Sequence, residues 1–298
     1  MNINKIRNNK RAMKALTGMD FVEFEDLIPA FERELYRHQE SKKNRKRKPG
    51  GGQKGHLKTA KDKLFFILFY IKTYPTFDIL AFFSNKSRGR SCEAVHIYLG
   101  ILEKALGQKI RMPLRKITST EEFMAKFPEV KDIFVDGTER RMQRPESDKR
   151  NRRHYSGKKK GHTRKNVVVV DEHKRFLVVS PTKPGRRHDK NCADRIQLAE
   201  NVPKHVGIWE DSGLQGMQNK HPNTAIAKRG CKNRPLTTTE KQENKVISSF
   251  RIVVEQAIGG MKRYRAVTDV LRNKIGIFDD RVAVVTAGLW NYHLAGSG

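Results

Sequence analysis

The chain has 298 residues, enough to bury a sizeable core in one large domain or two modest ones. It carries 62 lysines and arginines against 32 aspartates and glutamates, a formal net charge of +30. So basic a balance speaks about partners, and it favours nucleic acid over a ribosomal or anionic membrane surface.

The three widely spaced cysteines, Cys92, Cys192 and Cys231, offer neither a disulfide framework nor zinc-site spacing, so a reducing interior is expected. The longest apolar run, LFFILFYI over 64–71, is far too short to span a bilayer. The basic N-terminal stretch MNINKIRNNKRAMKAL lacks the apolar segment of a secretory signal. A soluble protein with no membrane partner is expected.

In chain order, DFVEFEDLIPAFERELYRH (20–38) places Phe21, Phe24, Leu27, Ile28, Phe31 and Leu35 at helical spacing, with a kink or division at Pro29. The arm 41–56, SKKNRKRKPGGGQKGH, comes next. Six of the seven residues Lys42–Lys48 are basic, Lys46 and Arg47 among them, before a Pro-Gly-Gly-Gly break. It reads as a linker without a core, either a solvated loop or an arm that tracks phosphates. From 57 to 108 the pattern is helical again. One helix covers about 60–73 and stops before Pro75, and a short one over 77–83 follows Thr76 as N-cap. A polar turn, SNKSRGR, leads to a helix from about 91 to 106 ended by Gly107. This is the outline of a helix-turn-helix, which other three-helix bundles share, and the basic turn residues Lys86, Arg88 and Arg90 favour DNA.

After Pro113 the character becomes mixed. IFVD (133–136), NVVVVDE (166–172), RFLVVS (175–180) and HVGIW (205–209) are β-rich, and DRIQLAEN (194–201) is helical. A long helix over 236–265 opens with Thr237 and Glu240 in capping-box register. The expected fold class is α/β: a helical DNA-binding region over 1–112, then a mixed-sheet domain over 113–298.

Asp136 ends the run IFV and Asp211 follows GIWE, so both are expected at the C-terminal ends of buried strands, where open α/β sheets place their functional crevice. Asp136-Gly137 is also a common hairpin turn, and Asp211-Ser212-Gly213 also suits a turn or helix N-cap. Asp171 ends a valine run too, but DEHK joins two strands of matching length and reads as a hairpin turn. In the long helix, Ile247, Phe250, Val254, Ile258 and Met261 share one face, with Arg251, Glu255 and Lys262 along its edge. The plain alternative is an Arg251–Glu255 helix ion pair in its weaker orientation, contributing about 0.2–0.5 kcal/mol.

Three carboxylates converging from two strand ends and one helix would suit hard divalent cations, Mg²⁺ or Mn²⁺, and two such ions about 3.5–4 Å apart can drive phosphodiester displacement. Arg251 and Lys262 would neutralise the phosphate backbone. The segment 140–165 is dominated by lysine and arginine, which fits a polyanionic substrate.

VDGTE (135–139), RP (144–145), HYSGKKKGHTRK (154–165), PGRRHD (184–189), EDSGLQG (210–216) and RIVVEQAIGGMKRYR (251–265) resemble, in order, bacterial insertion-sequence transposases with a harbinger-like DDE endonuclease domain. KRKPGGGQKGHL and YPTFDILAFF resemble the N-terminal region of the same proteins, so the likeness covers nearly the whole chain. It implies an RNase H-like catalytic fold in which Asp136, Asp211 and Glu255 are the metal-binding acids, with Asp136 bridging two Mg²⁺ ions. Arg251, Glu255 and Lys262 match a signature of related transposases whose arginine and lysine contact DNA. Ser248 stands where those relatives often carry a tyrosine, and Leu214 where Gly-Tyr commonly follows the second acid. Tyr155, Lys158, Lys159, Lys160 and His162 match a basic segment implied to bind substrate, and His188-Asp189 is expected to cap the following helix. Glu210, beside Asp211, is a second acid at the same strand end.

The resemblance implies an oligomer on double-stranded DNA, at transposon ends and at target, in the bacterial cytoplasm, with no organic cofactor. It implies recognition of terminal inverted repeats by the N-terminal region, hydrolysis that frees 3′-OH ends, and attack of those ends on target DNA. A DNA-binding protein without catalysis and an RNA-associated basic protein are the rival readings.

Overall fold

The computed structural model describes residues 6, 9–41, 55–214, 216–228, 230–231 and 233–296. In chain order the first elements are α1 (Lys10–Thr17), α2 (Phe21–Glu40), α3 (Ala60–Thr73), α4 (Phe77–Ser84) and α5 (Arg88–Gln108). There follow α6 (Thr120–Lys126), β1 (Asp132–Arg141), α7 (Asp148–His154), β2 (Tyr155–Ser156), β3 (Gly161–Asp171), β4 (Phe176–Val179), β5 (Lys183–Pro184), α8 (Asp189–Arg195), α9 (Leu198–Asn201), β6 (Gly207–Glu210), β7 (Thr224–Ile226) and α10 (Thr238–Met261). The chain then closes with α11 (Arg265–Thr268) and α12 (Phe278–Gly296). Two compact units result: a helical unit of Met1–Met112 with Met261–Gly298, and a sheet unit of Pro113–Gly260. The stretch 261–298, expected to belong to the mixed-sheet domain, groups with the helical unit. There α11 packs on α3 and α12 on α5, because the apolar surface of α12 finds its partners among helices.

In the helical unit, polar caps set the starts of the helices. Asp20 and Glu23 form a reciprocal capping box on α2, and Thr59 and Asp62 do the same on α3. The Thr76 hydroxyl accepts the Ile79 N–H at 3.3 Å and starts α4. Ser87 accepts the Arg90 N–H at 3.3 Å, so α5 begins at Arg88. Arg88 and Arg90 therefore belong to the first turn of α5, not to the polar turn that precedes it. Gly107 does not end α5. The helix reaches Gln108, whose side chain is held by Glu34 and by Arg33 Nε at 3.1 Å. Nor does Pro29 break α2: it lies on the exposed side, where water can serve the carbonyl it leaves without a donor. Phe24, Phe31, Phe66, Leu64 and Ile67 fill the core. No described helix is long and apolar enough to cross a membrane.

The sheet unit is built around β1 and β3, paired antiparallel from Ile133↔Asp171 to Arg141↔Thr163. β6 runs parallel to β1 (Asp132↔Gly207 to Val135↔Glu210), β7 runs parallel to β6, and β4 is antiparallel to β3. This mixed order fits the RNase H-like arrangement that the resemblance implies. β1 continues five residues past Asp136, so Asp136-Gly137 is no hairpin turn and Asp136 does not end its strand. Asp171 does fold into the β3–β4 turn, accepting the His173 N–H at 3.0 Å and the Arg175 N–H at 2.8 Å.

Because strand side chains alternate, Ile133, Val135, Val167, Val169 and Ile208 turn to one face. There they bury against Cys192 and Ala193 of α8, Ile196, and Leu198 of α9. The helix expected over 194–201 is split there, since Gln197 takes the left-handed conformation (φ 53). On the opposite face Phe134 stacks on Trp209 with ring centroids 6.4 Å apart, and Trp209 meets Phe250 of α10 at 4.4 Å. The capping box of α10 forms as expected, Thr237 N–H to Glu240 at 3.1 Å and Glu240 N–H to Thr237 at 3.2 Å. The helix ends at Met261, short of 265. Lys46 and Arg47, in the basic arm, lie outside the described residues.

Candidate active site

Asp136 points to the sheet face that α10 crosses, since its strand neighbours Val135 and Gly137 turn the other way. β1 and β6 are in register at Val135↔Glu210, so Asp211, the residue that follows β6, comes near Asp136 and acts on its carboxyl. From α10, the Arg251 guanidinium lies 3.5 Å from Asp211 Oδ1 and 4.0 Å from Glu255 Oε1. The helix ion pair weighed above is therefore present, and it also takes in the strand-end acid.

Burial pushes the Asp136 carboxyl above its usual range. The Gly137 N–H, bonded to it at 2.7 Å, and the charges of Arg251 and Lys158 pull it back, while Asp211 adds to the rise. A mostly buried carboxylate facing a second one demands positive charge, and the oxygen donor set suits a hard divalent cation. Arg251 supplies part of that charge. Among the described residues, no three His, Cys, Asp or Glu side chains close around a common metal position. Asp136 and Asp211 act on one another directly, whereas Glu255, 61% exposed, meets the same Arg251 guanidinium as Asp211. Lys262 falls just past the end of α10 and groups with the helical unit, so the helical face drawn through 251, 255 and 262 stops short of it.

Glu210 and Asp211 are adjacent residues with opposite settings. Glu210 turns into the interior, is 0% exposed, and has no hydrogen-bond partner on either oxygen. Burial pushes its carboxyl up to about 8, with only Lys190 opposing, so it is largely neutral at pH 7. Asp211 turns toward α10 and its arginine.

The N-terminal end of α8 departs from the sequence reading. His188 is its N-cap but makes no side-chain cap bond, and Asp189 instead pairs with Lys165 Nζ at 3.0 Å. Lys165 also lies 3.3 Å from Glu139, which accepts from the Thr163 hydroxyl at 2.7 Å. The Asp189 carboxyl rests on Gly137, where an added Cβ would come within 2.9 Å of it, so a side chain there would push the carboxyl aside. Glu139 and Lys165 are cross-strand partners, a relation visible only once the β1–β3 register is known.

Tyr155, 45% exposed, meets His162 edge-on at 5.7 Å, and His162 bonds Asn151. Lys158, Lys159 and Lys160 form the exposed turn between β2 and β3. In the helical unit Arg88 and Arg90 are exposed in the first turn of α5, Arg88 being 3.8 Å from Asp78, with Lys86 just before them.

Residues 135–291 match the family described as DDE superfamily endonuclease, which spans all three acids. The chain is 25% identical over 254 residues to the probable transposase for insertion sequence element IS702 of Microchaete diplosiphon, covering 84% of this chain and 86% of that one. It is 31% identical over 86 residues to the transposase for insertion sequence element IS1106 of Neisseria meningitidis serogroup B, covering 27% of this chain and 29% of that one. No solved structure gives a significant match. With two neighbouring acids facing an arginine-bearing helix inside the matched region, the chain belongs to the DDE superfamily endonucleases and is a DDE-type transposase of the insertion-sequence kind.

Proposed function

We propose that this enzyme recognises the terminal inverted repeats of an insertion sequence, hydrolyses the DNA at those ends, and joins the freed 3′-OH ends to target DNA at one site. The observation that carries the reading is Asp136 in β1 near Asp211 just past β6, with Arg251 of α10 3.5 Å from Asp211 and its charge acting on Asp136. Asp136, Asp211 and Glu255 would hold divalent metal, a pair of Mg²⁺ ions with Mn²⁺ as substitute. Bound there, the metal supplies Lewis-acid activation of the attacking oxygen and charge stabilisation at the leaving one.

The chain's own contribution is charge and positioning. Arg251 lies between Asp211 and Glu255 and is placed to turn to a DNA phosphate when a cation takes over those acids. Lys158, whose charge already acts on Asp136, steadies the reacting strand, and Lys159, Lys160, Tyr155 and His162 extend that contact. Lys262 is assigned to the DNA flank, as are Lys46 and Arg47 of the arm. The succession α3, α4, α5, with Lys86, Arg88 and Arg90 at the head of α5, supports end recognition by a helix-turn-helix. The proposed setting is an oligomer on DNA in the cytoplasm.

The test is to incubate the protein with duplex carrying the element's ends and Mg²⁺. Nicking that Asp136→Asn abolishes supports the reading. Equal nicking by the variant overturns the site, and tight binding with no cleavage under any divalent ion favours a DNA-binding role without catalysis.

A further inference from the structure

The cations nearest the acids do not account for an open arginine-lined surface of the sheet unit. A depression of about 450 Å³ is lined by Arg186, Arg187, His188, Asn191, Asp194 and Arg195. A second, of about 430 Å³, is lined by Asn151, Arg152, Tyr155, Gly157 and Arg186. Arg186 lines both, so the two form one continuous surface. Its single acid, Asp194, is answered by Lys190 at 3.8 Å and Lys220 at 3.6 Å. Among the described residues, no carboxylate comes within ion-pair reach of Arg152, Arg186 or Arg195.

We infer that this surface is a track for the phosphate backbone of duplex DNA on the flank of the reacting phosphate. The inference rests on the proposed reading of Asp136 and Asp211 as the reaction centre. One end of the track lies beside it, and the other sends a lysine charge back toward it. His188 precedes Asp189, whose carboxyl rests on Gly137 next to Asp136. Gly157 precedes Lys158, whose charge acts on Asp136.

The lining suits a polyanion, since four arginines, Arg152, Arg186, Arg187 and Arg195, border it. The length suits a duplex. Tyr155 pairs with His162, which accepts from Met142, so the track's far end is level with Met142. Five residues from Gly137 at about 3.4 Å each give roughly 17 Å, about half of a B-DNA turn of roughly 34 Å. Single strands are held on successive stacking rings, whereas this surface offers Tyr155, already edge-on to His162, and the His188 imidazole.

The experiment is a salt titration of binding to a duplex of roughly 30 base pairs, two to three turns. It uses the full chain in metal-free buffer and compares wild type with R152Q/R186Q/R195Q. Each lost phosphate contact removes about 0.9 from the slope of log affinity against log salt, so the triple variant should lose about 2–3 in slope. Kd at physiological salt should rise roughly 10- to 100-fold, with an unchanged Tm. An unchanged slope overturns the track, as does an equal loss on single-stranded DNA or RNA of the same length, or a wild type that fails to bind the duplex. Because no metal is present, the readout is separate from catalysis. A wild type that shows the slope change but never nicks DNA removes the catalytic reading and leaves the track standing.

Discussion

The two units bury different chemistry. The helical unit packs ring on ring, Phe24 on Phe65 at 6.5 Å and Phe66 on Tyr98 at 5.9 Å, and its buried acids Glu23 and Glu34 serve caps and neighbouring helices. The interior of the sheet unit is itself charged. Lys165 sits between Glu139 and Asp189, Arg140 bonds Asn166 and Thr182, and Glu210 has no hydrogen-bond partner among the described residues. One interior is chiefly apolar. The other adds buried charge to an apolar core, and that charge is costly to break but holds functional groups in place.

The largest expected effect separates function from stability within the sheet unit. Asp136→Asn should reduce metal-dependent nicking by about 10³-fold or more, since it removes a charged ligand from the site. Its Tm should hold or rise, because a neutral amide replaces a carboxyl that burial disfavours. A loss of stability matching the loss of activity would break the contrast.

Next come two truncations of similar size but different cause. Phe66→Ala should cost about 3–5 kcal/mol through a cavity, and Lys165→Ala about 3–5 kcal/mol by leaving buried acids without their cation. The pH separates them in denaturant titrations. Burial pushes Glu139 up, but bonds from Thr163, Ser156 and Lys165 outweigh it and hold the carboxyl below its usual range. Its stabilisation is therefore present at neutral pH and lost as pH falls through the carboxylate range. The Lys165→Ala deficit should shrink in acid, and the Phe66→Ala deficit should not.

Glu210 sharpens the contrast further. Its carboxyl is raised to about 8, so the folded state holds a proton that the unfolded chain releases near 4.5. The stability from this group is fully present below that lower value and is lost as pH rises toward about 8, by up to about 1.4 kcal/mol per pH unit. Unfolding of metal-free Glu210→Gln should lack this decline, and an unchanged pH profile would place the neutral group elsewhere. The smallest effect concerns Arg251. With its competing charge gone, Arg251→Gln should bind Mn²⁺ several-fold tighter in the DNA-free protein, read by electron paramagnetic resonance. Weaker binding would mean that the guanidinium assists the cation and does not stand in for it.

Much of the local structure was legible because it rests on neighbours in sequence. Thr76, and Thr237 with Glu240, cap the helices that their spacing announced, and DEHK closes a hairpin on Asp171. The errors fall where distant contacts decide. Pro29 looks like a break until the exposed side of α2 is known, and Gly107 looks like a stop until Gln108 finds α2. Asp136 looks like the end of a strand because nothing local says that β3 pairs with β1 as far as Arg141.

By itself the sequence determined a basic partner surface, a helical first part and a mixed-sheet second part, and the three acids worth watching, all of which follow from composition, periodicity and motif order. Only the tertiary structure decided that Asp211 faces Arg251 while Glu210 is buried, that Asp189 rests on Gly137, and that the segment from Met261 returns to the helices. The reason is physical. Caps and turns are chosen over three or four residues, whereas strand register and the face of a side chain are set by pairing across many residues, and a shift of one residue reverses every side chain in the strand.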